Sequence, residues 1–468
     1  MRPSAVAQQQ VRHESGVAPA SHADMLRRWV WRDFTNITLG IWLLASPATL
    51  GYRSAAMTWS DIGSGAAIVL LGVLTLFPRF DLARWGLCFV GLWLLFAPLL
   101  FWAPDAAAYA NDTLVGALVI AFSVLVPMMP SRAHHQVMMT PGPDVPPGWS
   151  YNPSDWIQRG PIIAMAFVGF FLSRYLAAYQ LGHIPYPWDP FFGDGTRRVL
   201  DSEVSRAWPI SDAGLGAVSY MIEALSGFMG GRNRWRTMPW MVVMFGVLVV
   251  PLGIVSIVLV MLQPIAVGAW CALCLVTAAA MLIMIAPAVD EVVAMTQFLS
   301  AASHEGKPFW RTFWVGGTLD AYRKAGSEAA SAPATRRSTA RRIVSALDLN
   351  NVPWNLPLCA ALGVWLMSAP AVLGATGRAA DVDYLAGALV VTWAVIAFGE
   401  IVRPVRLLNV LMGLGLMVGP WLVIGDTDAS RWNDMAVGAA LVVLSLPRGR
   451  IEERFGGWNR YLGSWVAG

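Results

Sequence analysis

The sequence predicts an all-α integral membrane protein with about 12 transmembrane helices, in which a central four-helix bundle is flanked by two four-helix modules of paired hairpins. Three observations predict this fold class: the composition, the apolar runs and an internal repeat. Of the 468 residues, 56% are hydrophobic and 13% are charged, and the mean hydropathy is +0.54. A chain this apolar is typical of membrane proteins rather than of soluble domains.

Twelve apolar runs are long enough to cross a membrane as helices. A helix needs about 20 residues to span the hydrocarbon core of about 30 Å. The runs form three sets of four: residues 32–51, 61–78, 84–103 and 112–130; residues 161–181, 212–229, 238–262 and 266–288; and residues 354–373, 382–401, 405–424 and 433–447. These sets predict three four-helix units in chain order.

Basic residues concentrate in alternate connections between the runs, for example Arg232, Arg234 and Arg236. Cytoplasmic connections carry the excess of Lys and Arg in membrane proteins. We therefore expect a multi-pass protein in a bacterial-type inner or plasma membrane, with both termini cytoplasmic and lipid as a partner. The net charge of +4 is then loop charge, so nucleic-acid binding is not expected. The oligomeric state is left open.

The patterns divide the chain into seven predicted parts. Three are membrane units and four are tails or linkers. They are a disordered cytoplasmic tail at 1–30, a four-helix module at 31–131, a linker at 132–158, the central bundle at 159–302, a basic cytoplasmic linker at 303–350, a second four-helix module at 351–448 and a cytoplasmic tail at 449–468.

A repeat relates the first and third sets of runs. The strings LGIWLLASP, VGLWLLFAP, LGVWLMSAP and MGLGLMVGP each place a Gly seven residues before a Pro, and an Asp followed four residues later by Gly-Ala comes after each Pro. We expect each copy to be a helical hairpin in which the Pro closes one helix, the Asp caps the next, and the Gly-Ala pair allows close contact. The paired hairpins resemble the SPW repeat, a bacterial membrane module, which implies a fold but no chemistry.

The central set carries the chemistry, in the stretch GAWCALCLVTA at 268–278. Cys271 and Cys274 lie three apart, on one face of a helix, near its outer end on the predicted topology. This spacing supports a redox-active disulfide, and a helix N-terminus favours the thiolate. Two inert buried cysteines are the alternative, and no metal site is expected because further ligands are lacking. Cys88 and Cys359 are predicted core residues.

The segment WCALCLVT and the phrase PISDAGLGAVSYMIEAL resemble the vitamin K epoxide reductase family. The resemblance implies a four-helix bundle with Cys271 and Cys274 as catalytic residues, and Thr277 and Trp270 as residues that bind a quinone of the ubiquinone or menaquinone type. It further implies that Cys274 is the deeper sulfur and that Cys271 exchanges with a partner. Thr277 could equally donate only to a carbonyl of its own helix.

One feature departs from that family, whose enzymes carry a second cysteine pair in the outer loop. Where the second of those cysteines would fall, near 200–203, this sequence reads LDSE. Without an internal relay, the partner is expected to be a separate thioredoxin-like thiol protein on the outer face. The alternative is a domain that has kept the fold and lost the reaction.

The outer segment at 183–211 is long for a connection between membrane helices, and we expect it to form a lid. Its Trp188, Phe191, Phe192 and Trp208 suit a segment lying on the membrane surface. Within it, Asp201 and Arg206 could orient the lid, and Asp212 is the predicted N-cap of the next helix.

Two ionisable residues interrupt the central bundle, Arg174 and Glu223. Charges within a membrane are functional candidates, and these two could pair with each other. A structural role for both is the alternative.

The leading hypothesis is therefore a membrane thiol-disulfide oxidoreductase that passes electrons from thiols to a quinone and supports disulfide bond formation outside. A non-catalytic membrane scaffold or binding protein is the main alternative. A transporter is disfavoured because the flanking modules lack helix breaks in corresponding positions.

Overall fold

The computed structural model describes residues 30–80, 82–125, 137, 140, 142–319, 353–422, 427–447 and 455. Most of both predicted tails and of the predicted 303–350 linker lie outside the described residues. Twelve main helices account for the described membrane-type segments. They are α1 (Val30–Leu50), α2 (Ala55–Thr75), α3 (Ala83–Leu100), α4 (Ala106–Ile120), α5 (Trp156–Gln180), α6 (Asp212–Phe228), α7 (Pro239–Leu262), α8 (Ala272–His304), α9 (Asn355–Leu373), α10 (Arg378–Ile396), α11 (Leu407–Val418) and α12 (Asp428–Ser445).

No strand occurs in the described ranges, and nine of their helical segments are long and apolar enough to cross a membrane. Many large apolar side chains on these helices are exposed, as lipid-facing residues would be. The predicted all-α, multi-pass membrane class is confirmed. The count of twelve spans stays a prediction, because α1, α6 and α12 are not among those nine segments.

The chain forms two compact units. One consists of Met1–Pro98 with Ala107–Pro130, and the other of Leu99–Ala106 with Ser131–Gly468. The first unit contains the hairpins of the N-terminal module, while the central bundle and the C-terminal module share the second unit.

Each repeat copy is a hairpin whose two helices cross at facing glycines. A methyl group added at any of these glycines would lie between 2.5 and 2.9 Å from the carbonyl oxygen of its partner, so only glycine fits the crossing. The pairs are Gly40 with Gly65, Gly91 with Gly116, Gly363 with Gly387 and Gly413 with Gly438. The predicted role of the Gly-Ala pairs in close helix contact is confirmed.

The repeat prolines lie at the ends of their helices, and the repeat aspartates do not lie where they were expected. Pro47, Pro98 and Pro370 fall in the last turns of α1, α3 and α9, and Pro420 follows α11. The aspartates do not cap helices, since α2 begins after Ser54, whose side chain accepts from the Met57 amide. Asp61 is instead buried within α2 and accepts hydrogen bonds from Ser46 and Tyr52.

In the central bundle α5 packs against α6 and α8, and α8 packs against α7. The helix α8 continues beyond the predicted apolar run at 266–288 and is unbroken to His304. Within the second half of α8, Glu291 forms a two-bond ion pair with Arg234, and Ser154 also donates to the Glu291 carboxylate. Both charged side chains are buried.

The basic residues in the connections between helices are not all the surface charges that the sequence predicts. Arg234 and Arg236 were predicted to be loop charges, yet both are buried, as are Arg403 and Arg406. The Arg234 guanidinium also donates to the carbonyls of Ser226 and Met229, so it holds chain turns together rather than facing lipid headgroups.

Candidate redox site

The two cysteines of the CxxC form a disulfide at the start of α8, with their Cα atoms 5.3 Å apart. Cys271 is the N-cap of α8, and Cys274 lies in its first turn. Gln263 holds the turn that precedes them. Its side-chain oxygen accepts a hydrogen bond from the Cys271 amide at 2.9 Å. Gly268 ends the preceding π-helical turn Gln263–Val267 with a positive φ of 64°, a conformation that favours glycine. These contacts fix the backbone that presents the disulfide.

The lid covers Cys271 completely. Two short helices form in the 183–211 segment, Gly195–Leu200 and Glu203–Arg206. Leu200 from the first of them packs with Leu176 of α5 in the apolar cluster that contains Cys271. Cys271 is 0% exposed, whereas Cys274 is half-buried. Leu200, in the loop stretch LDSE, therefore helps to cover Cys271.

Asp189 ties the lid to the start of α8. One carboxylate oxygen accepts from the amides of Phe191 and Phe192, at 3.0 and 2.8 Å. The other accepts from the amide and hydroxyl of Thr196, at 3.0 and 2.6 Å, and from the Ala272 amide at 3.4 Å. Ala272 directly follows Cys271, so this one carboxylate links the lid to the redox segment.

Burial alone would raise the pKa of Asp189, but its hydrogen bonds outweigh burial. The Thr196 hydroxyl and the surrounding amides stabilise the charged carboxylate, which lowers the pKa below its ordinary value. Asp189 is therefore ionised, and acts as an acceptor, at neutral pH.

Gly195 brings the lid helix into direct contact with the backbone of Trp270. A methyl group at position 195 would lie 2.1 Å from the Trp270 carbonyl oxygen, which leaves no room for any side chain. The Trp270 ring lies 6.5 Å from the Phe192 ring of the lid and 5.7 Å from the Tyr384 ring of α10. Trp270 is thus held between the lid and the C-terminal module.

A cavity of about 130 Å³ adjoins the disulfide. Its walls come from α5, the two lid helices, α6, α7 and the first turns of α8. The lining residues that matter most for chemistry are Ser173, Tyr220, Gln263, Cys274 and Thr277. Cys274 contributes to this wall and Cys271 does not, so the two cysteines differ in their access to the cavity.

Of the two residues predicted to bind a quinone, one lines the cavity and the other does not. Thr277 lines the cavity, but its hydroxyl donates to the Cys274 carbonyl at 2.8 Å, which was the alternative the sequence left open. Trp270 is not part of the cavity wall, and its ring contacts with Phe192 and Tyr384 favour a positioning role.

The charged residues that the sequence analysis singled out in the bundle and the lid do not form one cluster. Glu223 is buried on α6, and neither carboxylate oxygen has a hydrogen-bond partner among the described residues, so the suggested pair with Arg174 does not form. Arg174 lies near the Phe170 ring instead. Asp201 accepts a hydrogen bond from Tyr179 and forms an ion pair with Arg206 at 3.3 Å on the exposed side of the lid.

The predicted N-cap of α6 is wrong by one position. The cap is Ser211 rather than Asp212, because the Ser211 side chain accepts from the Gly214 amide.

Three residues of the site were missed by the sequence analysis: Asp189, Gln263 and Ser173. Asp189 lies in the turn-forming stretch PWDPFFGDG, and Gln263 is the polar residue that ends a long apolar run, so both left a signal in the sequence. Ser173 lines the cavity, and its hydroxyl makes no hydrogen bond to a described residue. A single Ser in an apolar helix gives no comparable signal.

Within the described ranges, no group of three or more His, Cys, Asp or Glu side chains could hold a metal ion. The geometry thus defines a helical membrane protein with a CxxC disulfide at a helix start, a lid over one sulfur and a cavity beside the other.

Residues 161–289 match the Vitamin K epoxide reductase family, and residues 30–126 and 353–448 match the SPW repeat domain. A segment similar to the vitamin K epoxide reductase family thus lies between two segments similar to the SPW repeat domain, which confirms both predicted resemblances. No curated protein and no solved structure matches the chain.

Proposed function

We propose that this protein is a membrane thiol-disulfide oxidoreductase that passes electrons from thiols to a membrane quinone through Cys271 and Cys274. One observation carries the proposal: Cys274 belongs to the disulfide and also lines the cavity. A sulfur in both places can exchange electrons with a molecule bound in the cavity and with its own disulfide partner.

The cavity suits a quinone ring. Its walls combine apolar side chains such as Leu176 and Leu259 with a few polar groups, which is the usual character of small-molecule sites. A quinone has two carbonyl oxygens that need donors, and the Ser173 hydroxyl is available as one. The Tyr220 hydroxyl already donates to the Thr277 carbonyl at 2.7 Å, and therefore stiffens the wall instead.

The electron balance is simple. Two thiols, at Cys271 and Cys274, lose two electrons and two protons as the sulfur-sulfur bond forms. A quinone, when bound, supplies the acceptor that takes two electrons and two protons. The disulfide is then reduced again by exchange with an outside dithiol, whose own sulfurs become the oxidised product.

The burial of Cys271 constrains the exchange step. A partner thiol cannot reach this sulfur while Leu200 covers it, so we expect the lid to move during the reaction. The loop has no cysteines to act as a relay. A separate thioredoxin-like protein on the outer face would then meet Cys271 directly, in a bacterial-type inner or plasma membrane.

Purified protein in lipid nanodiscs, supplied with dithiothreitol and a short-chain ubiquinone, tests this proposal. We expect quinone reduction above the uncatalysed rate, and loss of that excess in Cys271→Ser and in Cys274→Ser. The matched control is the double variant Cys88→Ser, Cys359→Ser, which removes two buried free thiols and should retain activity. Equal rates in the wild type and the Cys274→Ser variant would overturn the proposal.

A second candidate function is a non-catalytic membrane scaffold. It is favoured by the absence of loop cysteines and by the apolar cover over Cys271. Saturable quinone binding without turnover in the same nanodiscs would select this candidate.

A further inference from the structure

Tyr384 occupies a repeat position that differs among the four hairpins. The residue directly after the repeat Asp is Ile62, Thr113, Tyr384 and Met435 in the four copies. The aromatic side chain thus occurs in one copy, and that copy contains α10, the repeat helix that packs against α7, α8 and the Gln263–Val267 turn.

The Tyr384 ring meets the redox segment itself. It lies edge-on to the Trp270 ring, at 5.7 Å between centroids and 80° between planes. Trp270 is the residue before Cys271, and on its other side it approaches Phe192 of the lid at 6.5 Å. Three aromatic rings therefore run from the C-terminal module, through the redox segment, to the lid.

We propose that Tyr384 is a positioning residue of the redox site, and that the C-terminal repeat module holds Trp270 so that the lid closes over Cys271. This inference rests on the proposed function, because it concerns the access of thiols to the same disulfide. Tyr384 acts through Trp270 and does not itself line the cavity.

The lid position depends on Trp270 in two ways. Phe192 packs on its ring, and Gly195 sits against its carbonyl oxygen. A Trp270 that is free to rotate or shift would remove both supports at once. Aromatic pairs of this kind contribute enough to change an opening equilibrium by a factor of about 2 to 10. The effect on Cys271 should therefore be measurable without unfolding the protein.

Reduction of the Cys271–Cys274 disulfide by dithiothreitol tests the inference. In this exchange the dithiol is oxidised and both cysteines become thiols, which are trapped with a maleimide and counted by mass. We expect Tyr384→Ala to speed reduction about 2- to 10-fold, and Tyr384→Phe to restore the wild-type rate because the ring contact is kept.

The matched control is Met435→Ala, which truncates the equivalent repeat position in the same module. It should leave the reduction rate unchanged, while a thermal melt reports whether either variant loosens the module as a whole. If Tyr384→Ala matches the wild-type rate, or if Tyr384→Phe behaves like Tyr384→Ala, the inference is wrong. The assay needs no quinone, so failure of the proposed quinone reaction leaves its result intact.

Discussion

Two segments of α8 are held by different kinds of contact. In its second half Glu291 forms a buried two-bond pair with Arg234, which also donates to a carbonyl of α6. At its start Cys271 is covered by aliphatic side chains and by a lid, which is held through the Asp189 carboxylate, hydrogen bonds from Tyr179 and Gln180 of α5, and a ring contact of Phe192. The two sites are 20 positions apart along the helix, or about 30 Å.

This difference indicates how one helix can be both anchored and reactive. Removing one partner from a buried ion pair leaves an uncompensated charge, so we expect the Glu291 segment to resist opening. The contacts around Cys271 can break without leaving one half of a buried ion pair behind, so we expect the start of α8 to open more easily. On the proposed function, the disulfide meets its partner there.

The largest expected effect tests the Glu291 segment of α8. Glu291→Gln leaves the Arg234 guanidinium buried without its counter-charge, and should lower the free energy of unfolding by about 3–5 kcal/mol. Denaturation in mild detergent measures this loss. The matched control is Asp201→Asn, which breaks the exposed ion pair with Arg206 and should cost at most about 1 kcal/mol. Similar losses in both variants would contradict the contrast between the two segments.

The next effect concerns the lid. Gly195→Ala places a methyl group against the Trp270 carbonyl oxygen, so the lid helix must move away. We expect overall stability to fall by about 1–3 kcal/mol, the usual cost of overpacking. Cys271 should also become reactive towards a water-soluble maleimide after reduction. The control is Gly160→Ala in α5, where an added methyl group contacts nothing and the backbone has no positive φ. Equal labelling in the two variants would show that the lid does not rest on Trp270.

A smaller effect is expected from Asp189, and it depends on pH. Its folded-state pKa lies below the ordinary value of 3.8, so its stabilisation of the lid is fully present above about pH 4 and is lost as the pH falls through the lowered pKa. Asp189→Asn loses acceptor capacity and should weaken the lid by about 1–2 kcal/mol at pH 7. Disulfide reduction rates across pH 5 to 8 should differ between wild type and variant by a constant factor. A difference that disappears within that range would exclude the carboxylate as the link.

The smallest effect separates two hydroxyls of the cavity. Ser173→Ala removes the available donor and should raise the KM for the quinone about tenfold, which corresponds to about 1.4 kcal/mol. Thr277→Val should change the KM less than about threefold, because the Thr277 hydroxyl already donates to the Cys274 carbonyl. Quinone titrations in nanodiscs measure both. The reverse order would mean that Thr277, as the sequence first suggested, is the quinone donor.

The sequence was sufficient for those features that depend on local patterns. The lengths of the apolar runs predicted the helices, and the repeated Gly-Ala pairs predicted the hairpin crossings, because each reflects spacing along a helix. The CxxC was likewise found at a helix start.

Long-range contacts were not predictable in the same way. The burial of Arg234 depends on Glu291, which lies on another helix, so the sequence showed only a basic loop. The lid depends on Asp189 meeting Ala272, and on Gly195 meeting Trp270, across more than seventy residues. The sequence predicts caps at the repeat aspartates because an Asp near a helix start often is one, yet α2 begins earlier, after its N-cap Ser54.

The central claim, electron transfer from the CxxC to a quinone, is tested most directly in membranes that contain or lack quinone. Thiols are trapped with acid and a maleimide, and the redox state of Cys271 and Cys274 is read by mass. We expect the disulfide to predominate when quinone is present, and the dithiol to accumulate when quinone synthesis is blocked. A redox state that is the same in both membranes would contradict the account.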